Sequence, residues 1–104
     1  MFVRIARFEG ALSDWEERAA ELRRRIADTQ EDQRPPIVRV MMLFDEQTGR
    51  GAGLQFCESE DDLAEVDEFM NALTVPSGAG KRVGVEHYRV AFDVAPAEVR
   101  AQVA

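Results

Sequence analysis

The sequence predicts a single α+β domain over residues 1–104, with elements in the order β-α-β-β-α-β. Four strands in that order make an antiparallel sheet with two helices on one face. Three observations carry this reading. Apolar residues recur at period two in four segments and at helical spacing in two others. Helix-start signatures precede both helical segments. A glycine-marked turn joins the second and third strand segments with no room for a helix between them.

The first strand is Phe2 to Glu9, with Val3 and Ile5 on one face and Phe2, Arg4, Ala6 and Phe8 on the other. Gly10 ends it. "SDWE" is a capping box in which the Ser13 hydroxyl accepts the N3 amide and Glu16 reaches back. Trp15, Ala19, Leu22 and Ile26 follow at helical spacing. The polar run "DTQEDQRPP" ends this helix, because Pro35-Pro36 cannot continue it. Ile37 to Phe44 is a second strand, apolar on nearly both faces, which implies cover on both sides. Asp45 to Gly51 is the turn and Ala52 to Cys57 the third strand. Acids at Glu60, Asp61 and Asp62, after Ser59, favour a helix start. Leu63, Val66, Phe69, Met70 and Leu73 make that helix's apolar face. "TVPSGAGKR" is a loop and Val83 to Val94 the last strand. Residues 95–104 form a small Ala-rich tail with a weak helical turn.

Composition narrows the function classes. Of 104 residues, 45% are hydrophobic and 32% charged, an ordinary globular mix. The net charge of -7 argues against nucleic acid and anionic membranes as partners, since both reward clustered cations. The single cysteine, Cys57, excludes an intrachain disulfide and a multi-cysteine zinc site. No run approaches the roughly 20 apolar residues that span a bilayer, and the N-terminus lacks a signal-peptide core. These signals predict a cytoplasmic protein.

Three stretches imitate functional motifs. Gly49, Gly51 and Gly53 alternate, but Leu54 stands where a dinucleotide fingerprint needs its third glycine, and a strand follows instead of a helix. They suit a hairpin turn and a bulge. "SGAGKR" lacks the earlier glycine of a phosphate loop, where Val75 stands, and has Arg82 after the lysine. The acids from Glu58 to Glu68 lack the spacing of a calcium loop and read as a solvated helix face. Arg23 to Arg25 read as the wet face of the first helix, paired with Glu21 and Asp28.

Sorting the strands by face yields a candidate site. Val3, Ile5, Val38, Val40, Met42, Leu54, Phe56, Tyr88, Val90 and Phe92 are expected to meet the helices. The opposite face then carries Arg4, Arg39, Gln55, Cys57, His87 and Arg89 among hydrophobic residues. In an acidic chain that is a local inversion of charge. Arg4, Arg39, Gln55, Cys57 and Arg89 are candidate ligand-binding residues, with arginine forks suited to an organic anion or phenol. His87 is the candidate catalytic residue, able to move a proton near neutral pH. The alternative is that the arginines pair with nearby acids or across a dimer and His87 is structural. No metal site is expected.

The opening "FVRIARFEG", the hairpin "VMMLFDEQTGRGAGLQF", the step "CESEDDL" and the closing "HYRVAFDV" resemble the dimeric α/β-barrel superfamily. This ferredoxin-like group includes small antibiotic-biosynthesis-type monooxygenases and haem-degrading monooxygenases. The resemblance implies a homodimer whose sheets pair face to face, and singles out Arg4 as matching the family's first strand. Cys57 stands where members often carry tryptophan. The second helix lacks the histidine, and the first strand the asparagine, that haem degraders use. The resemblance therefore implies no cofactor and, at most, a cofactor-independent monooxygenase-like enzyme on a small aromatic or carbonyl compound. The alternative is a non-catalytic small-ligand-binding or interaction module of the same fold. The enzyme reading expects a pocket of roughly 300 Å³ lined by Arg4, Gln55, His87 and Arg89. The module reading expects His87 tied into a hydrogen bond.

Overall fold

The computed structural model describes residues 1–10, 15–72 and 80–103. Its elements are β1 (Phe2–Glu9), α1 (Trp15–Asp28), β2 (Arg39–Asp45), β3 (Arg50–Cys57), α2 (Glu60–Ala72), β4 (Lys81–Arg89) and α3 (Pro96–Val103), with one 3₁₀ turn at Glu31–Gln33. The βαββαβ order is the predicted one, with α3 added from the tail. Ser13 of the expected capping box and Leu73 of the second helix lie outside the described residues.

All strand pairs are antiparallel, in the order β2-β3-β1-β4. This is a ferredoxin-like arrangement. The β2–β3 hairpin closes through Gly49, whose φ of 69° is open to glycine at little cost and whose amide donates to the Asp45 carbonyl at 2.9 Å. Pairing between β2 and β3 is unbroken, so the expected bulge is not there. It lies between β1 and β4 instead: Arg7 pairs with Gly84 but Phe8 with Arg82, leaving Val83 unopposed. β4 ends at Arg89, earlier than predicted, although the Val90 amide still donates to the Met1 carbonyl at 2.9 Å.

The register keeps the predicted grouping of faces on β1, β3 and β4 but reverses it for β2. Arg4 pairs with Gln55 and His87, and Gln55 with Val40. Val40 and Met42 therefore share the face of Arg4, Gln55, Cys57 and His87, whereas Arg39 pairs with Phe56 on the face of Val3. The face of Arg4 is also the one α2 covers. Its core joins Cys57, Leu63 and Val66, with Phe2, Ile37 and Met70 packed around them. The sorting expects Val3 and Ile5 under the helices and Arg4 on the opposite face. The Arg4 side chain is instead 1% exposed, and α2 supplies two of its three hydrogen-bond partners.

Helix α2 begins as expected: the Ser59 hydroxyl accepts the Asp62 amide at 3.1 Å, and Glu60, Asp61 and Asp62 occupy the first turn, where the dipole favours them. Leu63, Val66 and Met70 face the sheet at helical spacing, and Asp67 and Asn71 follow on the adjoining stripe. Among the described residues, helix α1 meets the same face at its corner, where Trp15 stacks on Phe44 with ring centroids 5.8 Å apart. No α1 residue is buried; Ile26 of its apolar stripe is 42% exposed. On its solvent side Arg25 pairs with Glu21 at 3.0 Å.

Much apolar surface stays open. The chain exposes 7887 Å², where a compact chain of this size exposes about 5,900 Å². Its radius of gyration is 15.5 Å, where about 13 Å is usual. Among the described residues no helix packs over the face of Ile5, Met41, Leu43, Leu54 and Tyr88, although Val3 and Ala52 on that face are themselves buried.

Candidate functional site

The site is a polar network buried under α2. Arg4, at the centre of β1, uses all three guanidinium nitrogens. Nε donates to Asp67 Oδ1 at 2.8 Å, Nη1 to Gln55 Oε1 at 3.0 Å and Nη2 to Asn71 Oδ1 at 3.0 Å. Gln55, on the neighbouring strand, is 4% exposed. Burying a charge is costly unless it is paired and hydrogen-bonded, and this fork is both.

His87 and Arg82, both on β4, extend the network to the surface. His87 Nε2 lies 3.1 Å from the same Asp67 Oδ1, with the ring 44% exposed. Arg82 Nη1 donates to Asn71 Oδ1 at 3.0 Å. The bulge makes that bond possible, because leaving Val83 unopposed turns Arg82 toward α2. Burial would raise the Asp67 pKa, but the hydrogen bonds and charges of Arg4 and His87 outweigh it and hold the carboxyl below its ordinary value.

Four of the six candidate residues behave as a group. Arg4, Gln55 and His87 join one network, and Cys57 lies in the adjoining core, fully buried. Burial, with the nearby charge of Asp62, pushes the Cys57 thiol up, which disfavours the nucleophilic thiolate. Arg89 shares the face, opposite Phe2, but is exposed and has no ion-pair partner among the described residues. Arg39 is on the other face and does not reach the site.

Sequence reasoning missed Asp67, Asn71 and Arg82. Asp67 and Asn71 are spaced one helical turn apart beside the apolar stripe, a signal that was present but lost among the surrounding acids. Gly84 beside the bulge was the only sign that Arg82 would turn inward.

A second cluster lies on the open face, where Arg7 and Tyr88 both hydrogen-bond Glu86. The bonds from Tyr88 and Arg7 lower the Glu86 pKa, and the same carboxylate raises that of Tyr88. Among the described residues no group of His, Cys, Asp and Glu is arranged to hold a metal ion, and no helix is long and apolar enough to cross a membrane. No protein-family model matches the chain, and no curated protein matches it significantly.

Proposed function

We propose that this chain is a homodimeric, non-catalytic module that binds a small organic molecule, with two sheets paired through their open faces into an α/β barrel. The observation that carries the non-catalytic reading is the double use of Asp67. Arg4 and His87 are the side chains best suited to anchor and protonate a substrate; Arg4 spends its bonding on Asp67, Gln55 and Asn71, and His87 turns Nε2 to the same Asp67 oxygen. Cofactor-independent monooxygenase-like chemistry would require at least one of them to leave it. The small-molecule expectation comes from the sequence resemblance. Val40 and Met42, beside Gly53 on the partly covered face, offer it an apolar seat.

Area supports the dimer. The chain exposes 7887 Å², about 2,000 Å² above the usual figure for its size, and a stable interface takes about 800 Å² from each partner. A reducing, cytoplasmic setting is part of this reading, since the one cysteine is a buried free thiol.

Light scattering on the eluting protein is expected to give twice the chain mass, and Leu54→Lys on the open face to halve it. A monomeric parent at micromolar concentration would remove the barrel. A thermal-shift screen of aromatic acids and phenols, run beside oxygen uptake, is expected to find stabilisation without turnover. Turnover that disappears in a folded His87→Gln variant would replace this reading with the enzymatic one.

A further inference from the structure

We infer that the outer edge of β2 is a separate association surface, and that its occupant is β2 of a second copy, antiparallel and centred on Met42. This goes beyond the pairing of open faces, because it uses the sheet's edge and its unpaired backbone groups.

The two sheet edges, β2 and β4, are built differently. An exposed edge strand invites pairing unless charge, proline or a bulge blunts it. β4 has the bulge at Val83 and carries Lys81, Arg82, Glu86 and Arg89. β2 carries five consecutive apolar residues, Val40 to Phe44, with no break in its register. Val40, Met42 and Leu43 are 38%, 42% and 49% exposed.

The charges of β2 stand at its two ends and have opposite signs, Arg39 and Asp45. Antiparallel pairing about Met42 sets Arg39 opposite Asp45 of the second copy, twice by symmetry. Val40 then meets Phe44, Met41 meets Leu43, and Met42 meets Met42. Moving the centre to Met41 or Leu43 keeps the faces matched but loses both charge pairs, so the charges select the register. Arg39 has no ion-pair partner within its own chain among the described residues, and both end charges are exposed. The pairing keeps the two α2 helices on one side and leaves the open faces free.

Met42→Cys tests the register. Residues directly opposite in an antiparallel pair lie within disulfide reach. Mild oxidation is expected to give a covalent dimer with Met42→Cys and about tenfold less with Leu43→Cys, whose counterpart is Met41. In sedimentation at concentrations where the face-to-face dimer associates further, Arg39→Asp and Asp45→Arg are each expected to return it to that dimer, and the double variant to restore the larger assembly. Circular dichroism verifies folding, and Arg39→Asp with Met42→Cys decides the matter if Asp45→Arg disturbs the hairpin. Leu54→Lys is expected to leave the Met42→Cys cross-link intact, which separates this surface from the face-to-face dimer. Equal cross-linking of the Met42→Cys and Leu43→Cys variants, or an assembly unmoved by a folded Arg39→Asp, would overturn the inference.

Discussion

Asp67 Oδ1 accepts a hydrogen bond from buried Arg4 at 2.8 Å and lies 3.1 Å from His87 Nε2, so one oxygen ties β1, β4 and α2 together. The polar centre of this fold is a clasp between sheet and helix. Stability, acid sensitivity and the fate of His87 all depend on it.

Arg4→Met removes the charge but keeps much of the volume. It leaves Gln55, 4% exposed, without its donor. An unsatisfied buried group costs about 1–3 kcal/mol. A loss of about 2–3 kcal/mol is therefore expected in urea unfolding. An unchanged midpoint would mean that apolar packing under α2 can replace the clasp.

The Asp67 carboxyl is held below its ordinary value in the folded chain. A depressed carboxylate contributes stability that is present above its unfolded pKa of about 3.9 and is lost as pH falls through the folded value. Acid titration of the parent is expected to show this loss below about pH 4. Asp67→Asn is expected to be less stable at pH 7 and to lose less between about pH 5 and about pH 3. Parallel stability curves for the two proteins would show that other carboxylates govern acid unfolding.

Gly51 and Gly84 separate crowding from tolerance. A Cβ on Gly51 would stand 2.9 Å from the Leu43 carbonyl oxygen, a backbone atom that cannot swing away, whereas one on Gly84 meets nothing within 4 Å. Gly51→Ala is expected to lower stability by about 1–3 kcal/mol through strain in the hairpin. Gly84→Ala is expected to be neutral or stabilising by up to about 1 kcal/mol. Melting curves that rank the two in the opposite order would refute the assigned β2–β3 packing.

Much of the architecture was legible in the chain because it depends on local patterns. Ser59 and the acids after it mark the start of α2, and Leu63, Val66 and Met70 mark its buried stripe. Gly49 marks the hairpin. The grouping of Arg4, Gln55 and His87 was also legible, because period two along each strand gathers them. The parity of β2 was not: a one-residue difference in register moves every side chain to the other face, and nothing local in "IVRVMMLF" states it. Nor did the stripe of Trp15, Ala19, Leu22 and Ile26 reveal how little of α1 would be buried.

By itself the sequence determined the type and order of the six βαββαβ elements, since capping, periodicity and turn chemistry act within a few residues. Only the tertiary structure decided which sheet face is covered and what Arg4 does there. That choice rests on α2 bringing Asp67 and Asn71 to a guanidinium more than sixty positions away in the chain. Burial of a charge becomes tolerable only when such distant partners arrive together.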